Sequence, residues 1–393
     1  MKVALLTGGK DPHYARGLLR ELAAKGVHVA LIGHGELAGC EGAAHERVEV
    51  HDLIGNRNPA DGLMAKAWRV LSYYGRLLAF AARTDTKLFH ILWFRKFPLL
   101  ERTLLNVYFK LLGAKLVFTA HNVDDQARDG RACTFSNRLS LTFLYRTVDH
   151  ILVHTRSMKR EVVEQFNVAE HKVTVIPFGA NDIIPASSAT RSAARQQLGL
   201  GSEEKVLLFF GNITPYKGIE DLLLALAVLV REDGRFTVVL AGSVKDGNCE
   251  AYWGKLEGVI EELKLSKYVR KAIRYVPDGE VGLFFRASDV SVLPYRRVYQ
   301  SGVLSLSYAQ GLPVIATDVG SLKEDILEGE TGLIFRAGDA LDLADKVRAY
   351  FASDLFKDLE TRRPKIREYG AAQFSWARNA ELTCAVYEHV LQD

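Results

Sequence analysis

Cysteine is scarce: the four in 393 residues, Cys40, Cys133, Cys249 and Cys384, stand far apart and never form a CxxC pair. That spacing excludes a zinc ribbon, a thioredoxin-type redox centre and a disulfide-built scaffold, and it fits a reducing cytoplasm. Long hydrophobic runs are missing. Nothing approaches the roughly 18 apolar residues of a membrane span, and the opening "MKVALLTGG" is too short for a secretory leader, so a cytoplasmic protein is expected. No HExxH, no D-x-D and no GxxxxGK followed by Ser or Thr occurs, which removes the commonest metal and P-loop signatures; no metal site is expected. Nor is one charge in large excess. With 51 Lys and Arg against 47 Asp and Glu the net charge is +4, which does not mark a nucleic-acid binder.

Core material is abundant, with 48% hydrophobic residues in a chain too long for one comfortable core, so two domains are expected. Short apolar strands recur: "VALLT", "HVALI", "VEVHDL", "KLFHILW", "KLVFTAH", "HILVHT" and "KVTVIPF". Helical patterns fall between them, near 14–25, 68–82, 99–112 and 136–147. Strand, helix, strand in that order builds right-handed units on a parallel sheet covered on both faces. The rhythm stops over 181–204, which reads as a connector, and restarts with "KVLLFFG", "FTVVLAG", "AIRYVP", "VSVLPY", "PVIATDV" and "GLIF". The expected fold is α/β, with Rossmann-like doubly wound parallel-sheet domains over 1–180 and 205–372 and a closing helix, about 373–393, that returns to the first. Two such domains facing a central cleft would hold ligands at the carboxyl ends of their strands.

The stretch "FFGNITPYKGIEDLL" ends a strand at Gly211 and delivers Lys217 to a helix start, where free amides and the helix dipole favour an anion. A solvated lysine before an ordinary helix is the plainer alternative. In "VSVLPYRRVYQSGVLSL", Arg296 and Arg297 precede a helix opened by Ser301, Gly302 and Val303; this is a second candidate anion site, or Ser301 is a simple N-cap. Both helix starts belong to one sheet edge, the convergence that a diphosphate needs. In the first domain Gly8 and Gly9 follow a strand, with Lys10 and His13 beside them, as a ligand loop or a plain tight turn. "GHGELA" at 33–38 mimics a dinucleotide fingerprint but leads into no helix and reads as a loop. "FTAHNVDD" places His121, Asn122, Asp124 and Asp125 at another strand end, as hydroxyl ligands or bases, or with Asp124 as a helix cap. From Lys66 to Lys115 ten Lys or Arg stand against two acidic residues, interleaved with aromatics such as Trp68, Tyr73, Trp93 and Phe97. Such helices can lie on an anionic membrane or cover a buried aromatic core.

In their order and spacing Gly8-Gly9, "TAHNV", "VTVIPFG", "FFGNITPYKGIEDLLLAL", "RYVPDGEVGLFFRASDVSVLPY", "QGLPVIATDVGSLKEDILEGETGLIF" and the closing "FSW" helix resemble the GT-B glycosyltransferases, specifically the large retaining family 4-like group. The resemblance covers essentially the whole chain and is strongest in its second half. It implies metal-independent hexose transfer from a nucleotide-sugar to a sugar or lipid-linked glycan, with no cofactor, the donor held mainly by the second domain and the acceptor by the first. It implies that Lys217 neutralises the diphosphate, that the backbone near Tyr275 and Val276 receives the base, and that Glu324 contacts a ribose or sugar hydroxyl. Gly9, Gly211, Asn212, Ser301, Gly302 and Val303 would line the donor, His121 would position its sugar, and His13, Asp124 and Asp125 would be auxiliary or acceptor contacts.

The chain also departs from the family. The arginine that usually follows the strand glycine is Asn212 here, and the paired glutamates fall on Val298 and Leu306. The chemistry implied is departure of a nucleoside diphosphate from an oxocarbenium-like centre, its charge held by Lys217 and the two helix starts. Rival readings on the same architecture are a nucleotide-sugar 2-epimerase and a non-catalytic nucleotide-sugar binder. A nicotinamide dehydrogenase lacks its glycine fingerprint in the first strand-to-helix turn.

Overall fold

In the computed structural model, residues 1–33, 45–55, 62–128, 134–179, 184–244 and 247–392 are described. The chain divides into one unit of Met1–Asp125, Ala132–Gly179 and Ser375–Asp393, and a second of Gln126–Arg131 and Ala180–Phe374. Each unit is built on one sheet. The apolar runs become β1 (Lys2–Leu6), β2 (His28–Gly33), β3 (Val48–Asp52), β4 (Leu88–Ile91), β5 (Lys115–Thr119), β6 (His150–Val153) and β7 (Val173–Val175) in the first. In the second they become β8 (Lys205–Phe210), β9 (Phe236–Ala241), β10 (Val269–Ala272), β11 (Val290–Leu293), β12 (Val314–Thr317) and β13 (Gly332–Phe335). Central strands such as β4, β6, β9, β11 and β12 are buried along their length, as strands covered on both faces must be.

All strand pairs are parallel. The orders are β3-β2-β1-β4-β5-β6-β7 and β10-β9-β8-β11-β12-β13. In each, winding reverses once: between β1 and β4, and between β8 and β11. At such a switch point adjacent loops diverge to opposite faces and leave a crevice at the carboxyl edge, the usual ligand position of open α/β sheets.

Two sequence expectations need amendment. The 156–166 helix, Arg156–Phe166, sits between β6 and β7 where only strands were read; Thr155 caps it, and Met158, Val162 and Phe166 bury one stripe. The segment read as a connector with one or two polar helical turns does more than link: Ile184, Ala194 and Leu200 anchor it in the core beside Val206, Leu208 and Phe285. Its helix Arg191–Gln197 supplies Arg195, whose guanidinium donates to the fully buried Asp289 at 2.9 Å and to the carbonyls of Ala287, Gly201 and Ser202. Asp289 also accepts from Arg191 and from the Val206 amide. Buried charge of this kind is tolerable only because each group is paired and hydrogen-bonded. Of the 33–38 stretch only Gly33 lies within the described residues, and Cys40 and Cys133 lie outside them.

The closing helix, Trp376–Gln392, packs on the first unit, where Ala380, Val386, Tyr387 and Val390 join the core formed by β1, β2 and the helix Pro12–Ala24. Two glycines make the slot for Trp376. A Cβ on Gly17 would lie 2.2 Å from its indole, and one on Gly179 2.0 Å. Asn379 then donates to the Pro177 carbonyl at 2.6 Å, and the Tyr387 hydroxyl pairs with His90. Trp376→Ala should therefore cost about 3–5 kcal/mol in chemical denaturation, and Gly17→Ala about 1–3 kcal/mol. Losses below about 0.5 kcal/mol for both would mean that the tryptophan does not seat the helix.

Candidate functional site

The switch point of the second sheet gathers the residues of the "FFGNITPYKG" turn. Gly211 leaves β8 at φ 112°, its amide donating to Ala241, and Gly242 passes so close that a Cβ there would strike the Gly211 carbonyl at 2.0 Å. The turn Pro215–Lys217 then brings the Lys217 side chain back over the strand end. A Cβ on Gly211 would lie 2.8 Å from Lys217 Nζ and 3.4 Å from the Val303 side chain, so these three residues converge on one spot. Only glycine leaves room there. Lys217 is 6% exposed, its ammonium 5.5 Å from the Phe209 ring centre and 5.3 Å from that of Tyr295, faces that attract a cation.

Val303 belongs to the helix Gly302–Ala309, which Ser301 caps by accepting from the Leu304 amide at 3.2 Å. Capping and anion binding are compatible here. The side chain satisfies an amide one turn in, while those of Gly302 and Val303, at the first helical positions, have no intrahelical acceptor. The same loop is fixed to the lysine turn, since the Arg296 amide donates to the Tyr216 carbonyl at 2.8 Å, and Gly218 at φ 61° would strike the Pro294 carbonyl if it bore a Cβ. Arg296 itself is committed elsewhere: it pairs with Glu220 and Asp221, each at 3.2 Å, in the first turn of the helix Ile219–Glu232. The positive end of that helix is therefore partly offset by its own carboxylates, whereas the helix opened by Ser301 has no acid in its first turn.

The remaining residues of the second unit have distinct surroundings. Asn212 accepts from the Ser243 hydroxyl at 3.1 Å. The Tyr275 ring is 70% exposed, whereas the Val276 side chain fills the core and leaves only its backbone for a ligand. Glu324 is exposed on the short helix Leu322–Asp325, and the preceding loop packs on the 298–300 loop, with Gly320 against the Val298 carbonyl and the Ser321 amide donating to Tyr299. Leu306, at the second glutamate position of the family, is buried in the apolar core, so a carboxylate there would be expelled or neutralised.

In the first unit, Gly8 (φ 59°) and Gly9 (φ 70°) follow β1 at its switch point, and Gly8 sits so near the strand-end carbonyl of Trp93 that a Cβ would come within 2.6 Å. His121 stacks on Trp93 at 4.0 Å and 5°, with Tyr14 edge-on at 4.6 Å. Burial, then neighbouring His154 and His90, pushes its pKa well below the usual histidine value. The histidine His154, not singled out from sequence, fixes its tautomer. His154 Nδ1 faces the Ile176 carbonyl at 3.4 Å and must donate; its Nε2 then accepts from His121 Nδ1 at 3.2 Å. His121 Nε2 is left as a bare acceptor, buried and without a hydrogen-bond partner among the described residues. A hydroxyl is the natural donor to it. A histidine immediately after a strand was the available signal, and position 154 carried it as clearly as position 121.

Asp124 accepts from the Asn137 amide at 3.0 Å while Asn137 accepts from Arg102 at 2.7 Å, a buried chain that ties the strand end to the helix Phe135–Thr147. Asp125 is exposed and opens a short helix, and His13 lies half-buried in the first turn of the helix Pro12–Ala24. Among the described residues no group of three or more His, Cys, Asp or Glu is placed to hold a metal ion.

Comparison with known proteins adds the family. Residues 190–372 match the model for glycosyl transferases group 1, and residues 12–179 the model for a glycosyl transferase 4-like domain. The D-inositol 3-phosphate glycosyltransferase of Nocardia farcinica is 31% identical over 59% of this chain and 51% of its own length; that of Kineococcus radiotolerans is 30% identical over 62% and 58%. The matched region thus spans about half of these relatives. Among solved structures, sucrose-phosphate synthase from Thermosynechococcus elongatus superposes with TM-score 0.77 at 21% identity, covering 100% of this chain and 99% of that one. The Anabaena HepE complex with UDP-glucose superposes with TM-score 0.74 at 18% identity, covering 99% and 100%. With one family model over 12–179 and the next over 190–372, together spanning both parallel-sheet units, the chain belongs to the GT-B glycosyltransferases, family 4-like.

Proposed function

We propose that this protein transfers a hexose from a nucleotide-sugar to a hydroxyl of a sugar or lipid-linked glycan, with retention of configuration and without a metal ion, in the building of cell-surface polysaccharide. The observation that carries the proposal is the meeting of Gly211, Lys217 and the Gly302–Ala309 helix start at one switch point. An ammonium beside the start of a helix fits the diphosphate of a nucleotide-sugar, and HepE is a structural neighbour solved with UDP-glucose. As the bond to the sugar breaks, negative charge grows on the leaving diphosphate. Groups already in position stabilise it without reorganising. In the first unit His121 Nε2 accepts a sugar hydroxyl, and the neutral ring avoids adding a proton to the leaving group there.

Membrane contact is part of the proposal. Along the helix Leu63–Arg83 the exposed residues Met64, Trp68, Leu71 and Leu78 recur at helical spacing, and Leu104, Leu111, Phe135 and Leu139 extend the exposed apolar set over neighbouring helices. Among the described residues no helix is long and apolar enough to cross a membrane. The same helix carries Lys66, Arg69 and Arg76 on its other faces, and an apolar stripe on a basic helix fits a helix lying in an anionic interface.

Three outcomes test these statements. Lys217→Ala should lower kcat/KM about 10²- to 10³-fold with the best donor from a UDP-, GDP-, ADP- and TDP-sugar panel, and a chelator should leave wild-type turnover unchanged; undiminished transfer in the variant would remove the lysine from the reaction. The pH profile of kcat/KM should show no histidine inflection between about pH 5 and 8, because burial holds His121 neutral throughout and holds His154 at about 4. An acid limb near the ordinary histidine value would contradict that environment. In vesicle co-sedimentation, binding should require anionic lipid, weaken with salt, and drop at least about tenfold in Trp68→Glu. Equal binding to neutral vesicles at any ionic strength would exclude the interface.

A further inference from the structure

We propose that the second unit carries a further anion site, a cavity between the 186–189 stretch and the helix Leu359–Gln373 that takes a phosphate group; the inference does not rest on the transfer reading. The cavity, about 480 Å³, is lined by residues of this unit alone and has a size usual for small-molecule sites. It lies at the amino edge of the sheet. Gln310 borders it just before β12 begins, and Gln310 ends the 8-residue Gly302–Ala309 helix, about 12 Å from the end that Ser301 opens. Arg363 borders it too, donating to the Ser288 carbonyl at 2.9 Å just before β11. The Lys217 corner is at the carboxyl edge, so the two proposed anion sites are distinct.

The charges inside do not balance. Arg286, Arg363 and Arg367 line the cavity, and among the described residues Glu360 is the one carboxylate that does. Glu360 answers two of the three, accepting from Arg286 at 2.7 Å and standing 3.4 Å from Arg363 Nε. No hydrogen bond forms across the second gap: Arg363 is 2% exposed, and its Nε is buried without a hydrogen-bond partner. Arg367 makes no ion pair or hydrogen bond among the described residues. Asp289, next in sequence to Ser288, cannot make up the deficit, because Arg191 and Arg195 already hold it. Three arginines against one glutamate leave two positive charges in excess, which one phosphate dianion cancels.

The backbone holds the cavity open. Gly311, at φ 69°, makes room for Arg367, whose Nη1 would lie 2.9 Å from a Cβ there. Gly282 lets the 185–187 backbone close on the helix Asp278–Ala287, since a Cβ would meet the Ser187 amide at 2.7 Å. Arg286 Nε then donates to the Ala189 carbonyl and Gln310 Nε2 to that of Ile184, each at 3.1 Å. Ser187 and Ser188 of this pinned stretch also line the cavity, and the Ser187 hydroxyl, accepting from the Ala189 amide at 3.2 Å, keeps its own proton to donate. Guanidinium forks beside hydroxyl donors suit a phosphomonoester.

The test is the melting temperature of the full-length protein against inorganic phosphate and glycerol 3-phosphate, above neutral pH and at constant ionic strength, read as an apparent Kd. Lys217→Ala is the background, so that the donor corner does not contribute. There phosphate should still stabilise. Arg367→Gln should weaken its affinity about tenfold and Arg367→Lys restore part of it, while Glu360→Gln, which removes the competing carboxylate, should tighten it at least about threefold. Arg367 is half-buried and Glu360 exposed, and melting without phosphate reports the folding of each variant. A merely structural role would not move the affinity in opposite directions. Tighter binding of glycerol 3-phosphate assigns an organic phosphomonoester, and equal affinities assign the free ion. Affinity unchanged by Arg367→Gln or by Glu360→Gln, or phosphate that ceases to stabilise once Lys217 is replaced, would overturn the cavity.

Discussion

A lysine ammonium pressed against the end of a parallel strand is possible only where the chain has no side chain, and that constraint organises the second unit. Gly211 supplies the space, Gly242 and Gly218 let neighbouring carbonyls close in, and the hydrogen bond from Arg296 to Tyr216 locks the lysine turn to the loop before the Gly302–Ala309 helix. Replace any of these glycines and the proposed anion site would lose its shape before its charge. The acidic first turn of the Ile219–Glu232 helix has the complementary role of pairing with Arg296.

The first unit uses the same topology for different contents. Its switch point also depends on a glycine against a strand-end carbonyl, Gly8 against Trp93, but the group presented is a neutral imidazole in an aromatic cage. Tyr14 touches Trp93, His121, His154, Phe178 and Trp376, so the ring that borders His121 also borders the tryptophan seating the closing helix. Stability of that helix and orientation of the imidazole are therefore coupled through one side chain.

Much of this was legible in the sequence because the strands are short, apolar and regularly spaced. Parallel order, two sheets and a terminal helix follow from that rhythm, and Gly8, Gly211, Lys217 and Ser301 stand out as strand-end or helix-start residues. What was not legible arises from contacts distant along the chain. The 181–204 segment looks polar until Arg195 finds Asp289, 94 residues away. The 156–166 helix hides behind a polar composition, though Thr155 and the 158, 162, 166 spacing mark it. Arg296 reads as an anion ligand until Asp221 claims it. His154 acts through His121, and no local motif announces such a role.

The central claim is that a diphosphate lies between Gly211 and the start of the Gly302–Ala309 helix. Its most direct test is a crystal structure with the nucleoside diphosphate of the preferred donor. The outer phosphate should lie within about 3.2 Å of Lys217 Nζ and of the Gly302 or Val303 amide. A nucleotide ordered elsewhere on the protein, with that corner occupied by solvent alone, would contradict the assignment.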